Sequence, residues 1–158
     1  MRLRRLTVGE RRLAAAAFSD GLRAERLWLA EGAPTGSWAI VVFSLMLFPS
    51  RTEDFSIETA SYQAWFVHEL THAWQFQTRP LWTLLSLAKV AFSGSYLTRR
   101  AYRYGLPLTW DRLNLEQQAK AVEHGFLLRR GLRPPDMPDG ARPEDYPPPA
   151  AFQRKSRR

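Results

Sequence analysis

The chain of 158 residues contains no cysteine. That excludes a disulfide framework and any thiolate metal site, so a bound metal would have to rest on imidazole and carboxylate. Histidine is scarce too, with three in the whole chain. Acidic residues are outnumbered: 15 Asp and Glu stand against 23 Lys and Arg, for a net charge of +8. A clean apolar run long enough to span a bilayer is also missing. Leu81–Leu97 is broken by Lys89 and by Ser93-Gly94-Ser95. Near the start, Leu13–Phe18 is short and is preceded by Glu10, Arg11 and Arg12. Neither reads as a transmembrane segment or a conventional export signal, so the sequence-level expectation is a cytoplasmic protein.

What is present supports a folded domain. Apolar residues make up 45% of the chain, enough for one core at this length. The positive charge raises nucleic acid or an anionic surface as partners. However, basic residues crowd the two ends: Arg2, Arg4, Arg5, Arg11 and Arg12 at one, and Arg154, Lys155, Arg157 and Arg158 at the other. No aromatic residues interleave with them, so they read as solvated basic tails with no specific nucleic-acid role.

Two of the three histidines fall in one motif, His68-Glu69-Leu70-Thr71-His72. On a helix, positions four apart project from one face, so both imidazoles can meet one Zn²⁺. Glu69 lies beside that point and can take a proton from an activated water. The flanking Trp65, Phe66, Val67, Ala73 and Trp74 predict a buried helix. Two core histidines satisfied by hydrogen bonds would be the plainer reading, but an imidazole pair around a carboxylate in an apolar helix is costly without a bound ion.

Along the chain, Thr7 and Glu10 form a capping box for a helix running to about Asp20. Arg26–Ala30 reads as a short strand. The run from Trp38 to Phe48 reads as strand, with Ser44 marking a break between two short pieces. The motif helix is expected from about Ile57 to Gln77, capped by Asp54 or Ser56. A second apolar helix, Trp82–Phe92, should pack over it. Asn114 and Gln117 cap a later helix that ends near Gly131. Residues 1–131 form the expected domain. Prolines crowd from Pro134 to Pro149, so residues 132–158 read as an extended, disordered tail. Helices with a few short strands give an α+β, mainly helical class with a small β-sheet.

A catalytic zinc usually has three protein ligands, and the remaining histidine, His124, is one candidate for the third. A third histidine six residues past His72 would mark one zincin class, but position 78 is Thr. Another class takes a Glu from a later helix. Glu116 and Glu123, seven apart and on one helical face, both qualify.

The segments WFVHELTHAWQFQ and LNLEQQAKAVEHGF resemble the Vgr-related, zincin-like proteins found near bacterial type VI secretion and contractile-injection genes. Those typically carry HExTHxWQ and a later N-x-EQQ helix. LTVGE near the start, an apolar strand ending in Phe-Pro and the loop before the motif helix are similar too. The resemblance spans about residues 6–128. It implies a minimal gluzincin-type metallopeptidase domain, with His68, His72 and Glu116 as zinc ligands and Glu69 as general base. It further implies a secretion spike or effector as partner, and delivery by a secretion system. The chain departs from the pattern at His124-Gly125, where the family often has Asp-Tyr. Tyr102, Tyr104 and His124 are the candidate oxyanion donors. The competing expectation is a catalytically silent zinc-binding adaptor of a secretion apparatus, in which the metal supplies folding energy alone.

Overall fold

The structure is a computed structural model, and it describes residues 1–93 and 100–146. It bears out the α+β expectation. Four α-helices accompany a small sheet: α1 (Val8–Phe18), α2 (Ala60–Thr78), which packs on the sheet, α3 (Pro80–Phe92) and α4 (Leu115–Leu128). The sheet contains β1 (Arg2–Arg5), β2 (Trp28–Glu31), β3 (Ile40–Val42) and β4 (Leu45–Phe48), in the order β1-β2-β4-β3. β2 and β4 run parallel, and the outer two strands pair antiparallel with their neighbours.

Strand β1 corrects the reading of the N-terminus as a loose basic tail. Arg4 is half-buried between two buried carboxylates, with Glu10 at 2.7 Å and Glu31 at 2.7 Å. It also donates to the Thr52 carbonyl at 2.9 Å. One guanidinium therefore joins β1, α1, β2 and the loop after β4. Its planar fork of donors suits such a junction better than an ammonium would. Glu10 additionally accepts from the backbone N–H of Thr7 and of Phe55. The capping box predicted for α1 is thus also a tertiary tie.

The break expected at Ser44 is a tight hairpin. Val42 pairs with Leu45, leaving Phe43 and Ser44 as the turn. Phe43 takes φ 54°, unusual for a bulky side chain, with its ring 5.1 Å from that of Phe76 on α2. Helix α2 starts at Ala60, with Thr59 as its cap; Asp54 caps a separate turn at Phe55–Ile57. Phe48 and Phe55 pack against its Phe66, and the rings of Phe55 and Phe66 are stacked with centroids 4.7 Å apart. Its middle and C-terminal half, from Phe66 to Phe76, is buried at every position. That accounts for its apolar residues appearing on all sides.

Helix α3 begins at Pro80, where a proline without an N–H costs nothing in the first turn. Only Thr83 and Val90 of this helix are buried, so it packs as a strut and leaves most of its apolar surface outside. Residues 132–146 depart from the expected loose tail. Met137, Ala141 and Tyr146 are buried in the main core, anchoring a series of proline-bounded turns. Residues 147–158 and the break at Gly94-Ser95 lie outside the described residues.

Candidate metal centre

Helices α2 and α4 make the site. His68, Glu69 and His72 come from the buried middle of α2, and Glu116 from the first turn of α4. Nε2 of His68 lies 3.3 Å from Glu116 Oε2, and Nε2 of His72 lies 3.4 Å from the same oxygen. One ligand atom from each of the three residues falls within 4.8 Å of the others. Donors bound at about 2.0–2.1 Å to a tetrahedral ion stand roughly 3.3–3.5 Å apart. The trio therefore fits a metal ion in both chemistry and spacing.

The outer nitrogens are held as well. His68 Nδ1 meets Glu123 Oε2 at 3.0 Å. The structure thus separates the two candidate glutamates: Glu116 faces the converging Nε2 atoms, and Glu123 braces the ring from behind. His72 Nδ1 lies 2.9 Å from Gln75 Oε1. The Gln75 amide N–H groups donate to the Leu115 carbonyl and to Gln118 Oε1, each at 3.0 Å. That orientation leaves the Gln75 oxygen to accept from Nδ1–H of His72, directing the Nε2 lone pair inward. Gln118 in turn donates to the Trp110 carbonyl at 3.2 Å.

These contacts give roles to Gln75 and Gln118 and bear out the one expected for Gln117. The Gln of the Trp-Gln pair fixes an imidazole tautomer, and the second Gln of EQQ holds that Gln. The first, Gln117, closes the α4 capping box with Asn114. The spacing of Gln75 to His72, three residues on a helix, was the available signal.

The electrostatics follow from burial and mutual contact. Burial alone would push the His68 imidazole down, but Glu116 and Glu123 outweigh it and lift the ring to about 10. His72 is raised by Glu116 against the same burial. Burial opposes ionisation of Glu116, yet His72 and His68 hold its carboxyl far below the ordinary range. Glu69 moves the other way, because burial is only partly offset by the two histidines.

Of the three oxyanion candidates, Tyr102 faces the centre, its ring 6.3 Å from that of His68. Burial and the charges of Glu116 and Glu69 raise its hydroxyl, keeping it protonated. Tyr104 and His124 are elsewhere. Tyr104's hydroxyl sits 2.6 Å from His124 Nδ1 and 3.2 Å from the hydroxyl of Tyr146. His124 Nε2 faces Asp136 at 3.4 Å.

No family model matches the chain, and no curated protein does. A solved structure does match: the effector domain of Pseudomonas aeruginosa VgrG2b. The TM-score is 0.68 with 26% identity, over 80% of this chain and 75% of that one. The chain is thus similar in fold to the effector domain of a Vgr protein, in line with the resemblance carried by its two motifs. Among the described residues, no helix is long and apolar enough to cross a membrane.

Proposed function

We propose that the chain is a zinc-dependent metallopeptidase-like hydrolase that acts on an amide bond and is delivered through a Vgr-type secretion spike. The convergence of His68, His72 and Glu116, with Glu69 beside them, is the observation that carries this reading. An ion held by the trio would supply Lewis acidity, polarising a carbonyl and making a water acidic near neutral pH. Glu69 takes the proton from the attacking water and returns it to the departing amine. Its raised carboxyl suits both halves of that task. Tyr102, protonated and close to His68, donates to the developing oxyanion. Glu123 and Gln75 keep the two imidazoles in register. Strand β3 is an outer strand of the sheet and contacts α2, so an extended peptide has a backbone edge to pair with beside the centre.

The likeness to the VgrG2b effector domain supports the spike as the partner. A specific observation favours the second reading, a zinc-stabilised adaptor. His68, Glu69, His72 and Glu116 are only 8, 6, 8 and 6% exposed, which suits a closed structural site.

The experiment is metal analysis together with Glu69→Gln. Purified protein should carry about one zinc per chain. The variant should keep the metal and lose peptidase activity by about a thousandfold or more. A folded protein that takes up no metal would refute the centre. Full cellular effect from Glu69→Gln would favour the adaptor.

A further inference from the structure

Helix α3 carries a stripe that the centre does not use. Leu81, Leu84, Leu85, Ala88 and Phe92 recur at helical spacing, opposite the buried Thr83 and Val90. Leu81, Leu85 and Phe92 are 76, 73 and 91% exposed, and Leu84 is 42% exposed. Scattered surface leucines are ordinary, but a continuous stripe marks a surface that meets something apolar.

The charge around it identifies the partner. From Leu70 to Trp110 the sequence has no aspartate or glutamate, but it has Arg79, Lys89, Arg99, Arg100 and Arg103. Lys89 is exposed on α3 itself. Arg100 and Arg103 are exposed on the segment whose Ala101 packs with Val90 under the helix. On the flank of the stripe, Lys89 and Arg112 line a cleft of about 420 Å³. The acid lining that cleft, Asp111, lies 3.6 Å from Arg79. An apolar helix face bordered by cations, with Asp111 at its flank paired to Arg79, matches an interface of acyl chains beneath anionic headgroups. A helix of 13 residues is about 20 Å long. That is too short to cross a hydrocarbon layer of about 30 Å, but it suits a helix lying in the plane of the surface.

We infer that α3 docks the protein onto a bilayer containing anionic phospholipid, with Leu81, Leu85 and Phe92 inserted and Lys89, Arg100, Arg103 and Arg112 on the phosphates. This goes beyond the proposed hydrolysis and does not depend on it. The test is co-sedimentation of the full chain with phosphatidylglycerol–phosphatidylethanolamine vesicles and with phosphatidylcholine vesicles. The protein should bind the first and bind the second much more weakly. Leu85→Ser with Phe92→Ser should weaken binding at least about tenfold, with circular dichroism and thermal midpoint unchanged because both side chains are exposed. Lys89→Glu with Arg103→Glu should weaken it by a similar factor.

Failure to bind the anionic vesicles would overturn the inference. So would binding that survives Leu85→Ser with Phe92→Ser, since charge alone would then account for it. A dimer that forms without lipid, is abolished by the same pair and occurs in place of vesicle binding would assign the stripe to a second copy instead.

Discussion

His68 is gripped at both nitrogens, and the two grips do different work. Glu116 stands at the point where the ligands converge; Glu123 orients the ring. Glu116→Ala should therefore abolish tight metal binding. Glu123→Gln should weaken it by about 10- to 100-fold, the usual cost of losing a carboxylate behind a ligating histidine. Competition with a chromophoric chelator measures both, and equal losses would contradict the division of roles. Helical spacing alone could not separate these residues, and only the resemblance at the EQQ motif pointed to Glu116. They lie seven apart on one helical face, and which one reaches Nε2 depends on how far α4 slides along α2. The histidines and Glu69 were legible because their geometry is local to a single helix.

His124 offers a test in pH. Burial, reinforced by Lys120, lowers its imidazole below the ordinary 6.5. The unfolded chain then takes up the proton first, so this group's stabilising contribution is present above about pH 6.5 and fades as pH falls through the folded value. Thermal midpoints between pH 7 and pH 5 should accordingly drop less for His124→Gln than for the parent. An equal or steeper drop in the variant would contradict a neutral, buried ring.

At the scale of elements, the departure at His124-Gly125 has a packing reason. A Cβ on Gly125 would lie 2.6 Å from the Cβ of Tyr146. The glycine thus admits the segment that follows α4. Gly125→Ala should destabilise the protein by about 1–2 kcal/mol, because overpacking outweighs alanine's better helix propensity. In a Tyr146→Gly background, which removes that Cβ, the same change should become neutral or stabilising by up to about 1 kcal/mol. Chemical denaturation of the four proteins in this cycle gives the coupling directly. Composition concealed this contact, since prolines at such density ordinarily accompany disorder, and three apolar anchors among them are a weak local signal.

Strand β1 was concealed for a related reason. Arg-Leu-Arg-Arg reads locally as charge, and what makes it a strand is the pair of buried acids, Glu10 and Glu31, that meet Arg4 from other elements. Arg4→Met should cost about 3–5 kcal/mol, because it strands two carboxylates without their cation. Urea denaturation would show this as a lower midpoint, and a loss below about 1 kcal/mol would mean the acids find other partners.

For the whole molecule, the α+β class and the order of helices were readable because capping residues and apolar periodicity are written locally. The sheet order was not, since β2 pairs in parallel with β4, skipping β3, which lies at the edge beyond β4. The chain of charges around the centre is likewise a product of the complete fold. Glu123 meets Lys120 at 2.9 Å, and Lys120 meets Asp136 at 2.9 Å. Asp136 belongs to the segment that Gly125 admits and Tyr146 anchors.

That arrangement imposes a timetable. During synthesis, His68, Glu69 and His72 emerge well before Glu116 and Glu123, and Asp136 and Tyr146 follow later still. The nascent chain holds the reactive residues of α2 for a long interval before α4 can cover them, and the later turns around Asp136 close the charge chain that steadies Glu123. The reactive elements are thus made before the residues that complete and cover them.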